Sequence, residues 1–212
     1  ATTLTGSGTG GNGTSSTRGV AASRSTWQAG SGDATVTGLS GQNSRGLGRG
    51  VHLSYSNVSS TAAGVTLTGT ASAPSGGIGN HGVYSFRSHL TAAGGSTLKI
   101  EGTGGAGTGR ATGVSVSGGS LTGTIDIDGT GGASATGRGN TGVSITSTNL
   151  SAITATSAID GTAGGGTFGY GVYMQAINGM ANDTAFPGTI TGNAADPEDE
   201  KKGNFFSAIL PA

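Results

Sequence analysis

Three carboxylates with identical neighbours are the residues of this sequence best suited to chemistry. Glu101, Asp128 and Asp160 each follow an isoleucine and precede a glycine. If they are equivalent residues of stacked strands, they lie about 4.8 Å apart, and like charges so close repel unless solvated or bridged by a cation. Ca²⁺ prefers such oxygen ligands. One hypothesis is therefore an outward acidic ladder that holds Ca²⁺, and the sequence indicates no other cofactor.

The alternative interpretation of the ladder is a row of solvated surface charges. Lys99 supplies a cation beside it that would relieve part of the repulsion, and Asp126 adds a further carboxylate. A polysaccharide hydrolase would need two carboxylates at a set separation in a cleft. The sequence shows no long insertion that could build a cleft and no basic or aromatic cluster beside the acids. We therefore favour the solvated row and predict a protein that is not an enzyme.

Basic residues form a second polar group. They stand directly before a recurring Gly-Val pair or a few residues earlier in the repeat: Arg18, Arg49, His81, Arg110 and Arg138. Such a loose ridge could contact anionic glycans or a cell surface, or could serve only to keep the protein in solution. The other histidines, His52 and His89, lack metal-ligand spacing, and we expect structural roles for them.

A repeated unit must position all of these residues. A Gly-Val pair recurs every 29 to 32 residues, at Gly19, Gly50, Gly82, Gly113, Gly142 and Gly171. Self-similarity with a period of about 20 to 50 residues is typical of solenoids, propellers and arrays. The repeat is therefore the primary clue to the fold.

Aligning the chain on this pair yields three apolar columns. One lies two residues after the valine: Ala22, Leu53, Ser85, Val116, Ile145 and Met174. Another lies seven residues after it, with the last member displaced by one: Trp27, Val58, Leu90, Leu121, Leu150 and Met180. The third precedes an x-Gly pair: Val36, Leu67, Ile100, Ile127, Ile159 and Ile190. Each repeat thus holds three short apolar patches.

The patches have the character of strands. They alternate apolar and polar residues, are rich in Val, Ile and Thr, and are too short for helices. Glycine-rich turns of variable length separate them, as expected of loops on one flank of a coil. The sequence predicts an all-β parallel β-helix, or β-solenoid, of about six rungs of ~30 residues with three short strands each.

Composition excludes several classes of protein. Glycine contributes 46 of the 212 residues but follows no triplet rule, which excludes collagen. The apolar columns argue against a disordered chain. A net charge of zero without a basic stripe predicts no nucleic-acid partner. No run of about 18 apolar residues occurs, so we expect no membrane span.

Some segments resemble a known group of proteins. They are Gly79-Asn-His-Gly-Val-Tyr84, Ile127-Asp-Gly-Thr-Gly-Gly132 and Phe168-Gly-Tyr-Gly-Val-Tyr173. These resemble the β-helix repeats of large bacterial surface proteins: filamentous-haemagglutinin-like and two-partner-secretion exoproteins, and autotransporter passenger shafts. The likeness covers roughly residues 1 to 192. It implies a right-handed helix, a place outside the cell or on a bacterial surface, and a role as shaft or adhesin.

The chain changes character after Gly192. We divide it into solenoid repeats over residues 1–192 and a charged loop with an apolar tail over 193–212. A solenoid end needs a cap or a partner. The tail could cap the last rung, or its apolar residues Phe205, Phe206, Ile209 and Leu210 could join a neighbouring subunit as an added strand.

Three functions remain in order of preference. The first is the non-enzymatic, extracellular shaft of a surface adhesin or exoprotein, with a host or neighbouring cell as partner. The second is a subunit that binds copies of itself head to tail in an extracellular filament or sheath. The third is a β-helix that binds or acts on carbohydrate, with a glycan as partner.

Overall fold

The computed structural model of the protein shows a right-handed parallel β-helix of about five turns. It describes residues 1–8, 16–41, 47–72, 78–133, 139–166, 169–178, 186–193 and 204–209, the last of these by its backbone. These residues form strands and no helix, so none of them lies in a helix that could cross a membrane. The predicted all-β solenoid is confirmed, with a turn count close to the six rungs expected.

Two parallel sheets run the length of the solenoid. The seven strands of sheet A are, in spatial order, β1 (Thr2–Ser7), β4 (Ala34–Leu39), β7 (Val65–Thr70), β9 (Thr97–Thr103), β11 (Thr124–Thr130), β14 (Ala158–Thr162) and β16 (Thr189–Asn193). The main path of sheet B contains β2 (Thr17–Ser23), β5 (Gly48–Ser54), β8 (His81–Thr91), β10 (Val114–Thr122), β12 (Val143–Thr146), β15 (Val172–Ile177) and β17 (Asn204–Ile209).

Sheet B also bends within each turn. The short strands β3 (Thr26–Ala29), β6 (Asn57–Ser60) and β13 (Asn149–Ser151) continue the course of the strand before them, whereas β8 and β10 run through the bend without a break. Each of the five turns over residues 17–162 therefore contains the three strand segments predicted from the sequence, whereas Met180, predicted for the next turn, lies outside the described residues.

The pairing register matches the columns read from the sequence. Leu53 pairs with Ser85, Val58 with Leu90, and Leu67 with Ile100. These side chains are completely or almost completely buried. Stacking equivalent apolar residues turn upon turn produces one continuous core, which each turn completes for its neighbours.

Two glycine columns form a seam where the end of a sheet A strand meets the start of the next sheet B strand. A Cβ on Gly50 would lie 2.7 Å from the carbonyl oxygen of Gly38 and 2.7 Å from the carbonyl carbon of Gly69. Real Cβ atoms do not approach backbone so closely. The recurring glycine of the Gly-Val pair is thus required by the close contact of two backbones.

The bend in sheet B has its own repeated chemistry. Tyr55, Arg87 and Ser147 occupy its corner with φ of 51°, 48° and 50°, a left-handed conformation that is uncommon for non-glycine residues. The residue after each corner supplies a hydroxyl. The Ser88 Oγ donates to the Phe86 carbonyl at 3.1 Å and accepts the Ser56 N–H at 3.1 Å. These hydroxyls satisfy backbone groups that the bend removes from the sheet.

Two buried asparagines hold the variable turns. The Asn80 Oδ1 accepts the Gly48 N–H at 2.8 Å, and its Nδ2 donates to the Ala106 carbonyl at 3.0 Å. Asn140 repeats the arrangement, accepting from the Ala111 N–H at 3.1 Å and donating to a carbonyl in the next variable turn. Because each amide bonds backbone on two sides, it ties a glycine-rich turn to the neighbouring turns of the solenoid.

Candidate functional site

The predicted acidic ladder lies on the outer face of sheet A. Asp128 pairs with Glu101 on one side and with Asp160 on the other, as the repeat predicts. The Lys99 Nζ lies 2.7 Å from the Glu101 Oε1, and the Thr68 hydroxyl donates to the Glu101 Oε2 at 3.3 Å. The register of the ladder is therefore as expected, and Lys99 is its counter-ion.

The pKa of the first carboxylate of the ladder and that of the middle one shift in opposite directions. The hydrogen bond from Lys99 holds the pKa of Glu101 below its ordinary value. Partial burial, followed by repulsion from Asp126 and Asp160, raises the pKa of Asp128. Across the described residues, no three His, Cys, Asp or Glu side chains gather in an arrangement that could hold a metal ion. The Ca²⁺ site at Glu101, Asp128 and Asp160 stays a prediction.

A groove of about 680 Å³ on the outer face of sheet B is the other candidate, and we name it the sheet B groove. Its floor is built by the outward residues of β8, β10, β12 and β15, and the variable turns border it along one side. Its described lining residues are Leu47, Arg49, Ile78, Gly79, His81, Tyr84, Arg110, Thr112, Ser115, Ser117, Gly139, Thr141, Ser144, Thr146, Tyr170, Tyr173 and Gln175.

The floor of the groove follows the period of the fold. Tyr84, Ser115, Ser144 and Tyr173 are register partners on four successive strands, each one residue after the core valine. Strand alternation turns them outward because the valine faces the core. A parallel row, directly before the glycine of each Gly-Val pair, contains His81, Thr112, Thr141 and Tyr170. Both rows thus run from aromatic through hydroxyl to aromatic residues.

An aromatic and basic cluster forms the first end of the groove. The rings of His81 and Tyr84 stack with centroids 5.3 Å apart and an interplanar angle of 21°. The Arg49 guanidinium carbon lies 4.1 Å from the Tyr84 ring centroid, within the range of a cation–π contact. The Arg49 Nη1 also lies 3.2 Å from the His52 Nε2.

The charge of the groove comes from its arginines, because the histidines in and beside it are neutral. Burial, reinforced by the charge of Arg49, lowers the pKa of His52 to about 4 and that of His81 to about 3. Both histidines are neutral at pH 7. Burial also lowers the pKa of Arg49, but a guanidinium stays protonated in proteins. Since the described lining contains no Asp or Glu, Arg49 and Arg110 give the groove a net positive charge.

Two tyrosines form the far end. The ring centroids of Tyr170 and Tyr173 lie 5.6 Å apart at an interplanar angle of 39°. The Tyr173 hydroxyl donates to the Gln175 Oε1 at 2.9 Å. This bond directs the phenol along the strand and leaves the ring at the groove surface, where Tyr173 is half-buried.

The structure gathers part of the predicted basic ridge. Arg49, His81 and Arg110 all line the groove, whereas Arg18 does not and Arg138 lies outside the described residues. The sequence reasoning missed the aromatic ends, although Tyr84 and Tyr173 hold the same position in the aligned repeat. That shared position was the signal that could have revealed them.

The tail residues fall at the end of sheet B. Phe205, Phe206 and Ile209 belong to β17, which pairs in parallel with β15 of the same chain, and Leu210 lies outside the described residues. The predicted boundary between residues 192 and 193 falls inside β16.

No protein-family model, curated protein or solved structure matches this chain. The resemblance to bacterial exoproteins rests on the segments quoted above and on the β-helical fold.

Proposed function

We propose that this protein is a non-enzymatic, extracellular structural element, the β-helical shaft of a bacterial surface adhesin or exoprotein. The observation that carries the proposal is the unbroken core. The column of Leu67, Ile100, Ile127 and Ile159 is fully buried through successive turns, with the same register on every strand. A stack of this kind is stiff along its axis and can be lengthened by adding turns.

The distribution of acids supports a non-enzymatic role. Glu101, Asp128 and Asp160 lie on the outer face of sheet A, whereas the sheet B groove contains no carboxylate among its described lining residues. Acid–base hydrolysis of a glycosidic bond requires two carboxylates on either side of the bond, held in one cleft. Groove and acids are on different faces, so they cannot act together.

Labelling of intact cells tests the shaft. Antibodies raised against the purified chain should label unpermeabilised source cells, and negative-stain electron microscopy should show the label on thin projections. Protease treatment of whole cells should remove the signal. Labelling that requires permeabilisation would contradict the proposal, with an antibody against a cytoplasmic protein as the control for cell integrity.

A filament subunit is the second candidate, because both ends of the solenoid present parallel strand edges. At the first end, an apolar cavity of about 440 Å³ opens beside Leu4, Trp27 and Val36, and Leu4 is 38% exposed. At the other end, β16 and β17 are the last strands of their sheets. Equivalent edges of the same two sheets at opposite ends favour head-to-tail stacking.

Sedimentation velocity and electron microscopy distinguish the two candidates. A filament subunit should form concentration-dependent rods, and these should be lost both on removal of residues 204–212 and in Leu4→Asp, which places a charge at the opposite end. Thr66→Asp, on the outer face of sheet A, is the matched control. If the truncated chain forms the same rods as the full chain, the tail has no part in assembly.

A further inference from the structure

We propose that the sheet B groove binds a linear, anionic glycan that lies along the solenoid axis between Tyr84 and Tyr173. The inference does not rest on the shaft proposal, because a shaft and a filament subunit would both present this face to solvent. It adds a ligand class to a surface that has no role in the core.

The spacing of the aromatic ends suits an extended chain of sugars. Tyr84 and Tyr173 are separated by three strand steps, which at about 4.8 Å each amounts to about 14 Å. That span accommodates a few linked pyranose rings. Aromatic faces pack against the apolar C–H faces of such rings, so the Tyr173 ring can anchor one end of the chain. The Tyr84 ring already packs against Arg49 and His81, and this cluster bounds the other end.

The middle of the groove is suited to the edges of sugars. Ser115 and Ser144 form one row of hydroxyls between the tyrosines, and Ser117 and Thr146, register partners on the same two strands, form a second row. Each hydroxyl can both donate and accept a hydrogen bond, as can each sugar hydroxyl. The groove is open rather than enclosed, so a polymer can enter from the side and extend beyond both ends.

The charge of the groove selects an anionic ligand. Arg49 and Arg110 line it without a carboxylate among its described lining residues, and both histidines there and beside it are neutral. A guanidinium binds a carboxylate or a sulfate through paired hydrogen bonds. Arg110 is exposed and borders the hydroxyl floor, which places it to meet a uronate or sulfate group on the sugar chain.

A glycan fits these features better than a nucleic acid. Phosphate backbones are bound by many cations along a continuous stripe, and their affinity falls steeply with salt. This groove offers two arginines and a floor of neutral hydroxyls. The net charge of the whole chain is zero. A nucleic acid therefore serves as a competing probe in the test.

The experiment uses the full chain with four probes: an oligogalacturonate, a sulfated heparin oligosaccharide, a neutral cello-oligosaccharide and a single-stranded DNA of similar length. Binding is measured by isothermal titration calorimetry, and saturation-transfer NMR reports which ligand protons contact the protein. We expect at least one anionic oligosaccharide to bind, with the strongest transfer to its ring C–H protons and weaker or no binding of the neutral oligosaccharide.

Three variants separate the contributions. Tyr173→Ala should weaken oligosaccharide binding by about fivefold or more, as for the truncation of an aromatic anchor. Arg110→Gln should weaken binding of the anionic probe and reduce its salt dependence. Tyr55→Ala removes a tyrosine that is 46% exposed at the corner of sheet B, outside the groove, and should leave binding unchanged. Circular dichroism and thermal unfolding confirm that each variant is folded.

Three outcomes would overturn the proposal. The first is the absence of binding of both anionic oligosaccharides at millimolar concentration to a folded protein. The second is binding that Tyr55→Ala weakens as much as Tyr173→Ala. The third is DNA binding that is tighter than oligosaccharide binding and depends on Arg110 alone. None of these bears on the surface-labelling test, so failure of the groove and failure of the shaft can be distinguished.

Discussion

Two serines on one strand should respond to the same substitution with opposite signs. Ser85 and Ser88 both lie on β8 and both are 0% exposed. Ser85 occupies a core column between Leu53 and Val116, and its Oγ has no hydrogen-bond partner among the described atoms. Ser88 sits just after the corner, where its Oγ bonds two backbone groups. Ser85→Ala should therefore stabilise the protein, and Ser88→Ala should destabilise it.

The magnitude follows from the state of each hydroxyl. A buried hydroxyl without a partner costs about 1–3 kcal/mol, and alanine removes it with almost no change in packing. Ser85→Ala should recover that amount. In Ser88→Ala the N–H of Ser56, a residue only 1% exposed, loses its acceptor and incurs a similar penalty of about 1–3 kcal/mol. For a chain of this size each change corresponds to a shift in Tm of roughly 2–12 °C.

Urea unfolding followed by circular dichroism measures both changes. The urea midpoint should rise in Ser85→Ala and fall in Ser88→Ala. The dependence of the unfolding free energy on urea concentration should be the same for both variants, so that the shift in midpoint reports stability alone. The reasoning fails if Ser85→Ala lowers the midpoint, or if Ser88→Ala leaves it where it is in the unmodified protein. The first result would mean that the Ser85 hydroxyl has a hydrogen-bond partner, and the second that the Ser56 N–H does not depend on the Ser88 hydroxyl.

Three further predictions concern the seam, the groove and the ladder. Gly82→Ala should lower the free energy of unfolding by well over about 2 kcal/mol or prevent folding, because the added Cβ would lie 2.7 Å from a carbonyl oxygen. Gly94→Ala, with open space around the added Cβ, should be neutral or stabilising. Equal stability of the two variants would contradict the close backbone contact at the seam. The pKa of His81 is about 3 in the folded protein and 6.5 ordinarily, so the unfolded chain binds more protons between these values. The stability of the protein should therefore fall as the pH drops from 6.5 to 3, and it should fall less steeply in His81→Gln. Identical dependence of stability on pH in the two proteins would refute this. Lys99→Met should raise the pKa of Glu101, which carboxyl NMR measures. The variant should also lose less stability than the unmodified protein when Glu101 is protonated in acid. An unchanged pKa would show that the ion pair with Lys99 is not what lowers the pKa of Glu101.

The core could be predicted from the sequence because residues of the same apolar type recur at the same position of each repeat. Ile100 and Ile127 share a residue type as well as a position, so alignment alone placed them in one column, and their pairing confirms it. The glycine of Gly82-Val83 was equally visible as a repeat. Its cause, the contact of two backbones, became clear only when the neighbouring strand was in place.

The bend and the groove were harder to predict for physical reasons. A left-handed corner at Tyr55 or Arg87 has no compositional mark, because neither residue favours that conformation. The hydroxyl of Ser88 is one among many in a chain rich in Ser and Thr. In the groove, Tyr84 and Ser115 share a position but no chemistry, so the column shows no common residue type. Its meaning depends on which side chains meet across four turns.

The asparagines that hold the variable turns suggest how the protein can change in length. Asn80 and Asn140 are separated by 60 residues, and each accepts from a small residue, Gly48 or Ala111, on the turn before it. Copying a single turn would place two asparagines side by side or leave one turn without its amide. Copying a pair of turns would reproduce the whole set of donors and acceptors. Gene duplication should therefore extend this solenoid by two turns at a time, and relatives of different lengths should differ by even numbers of turns.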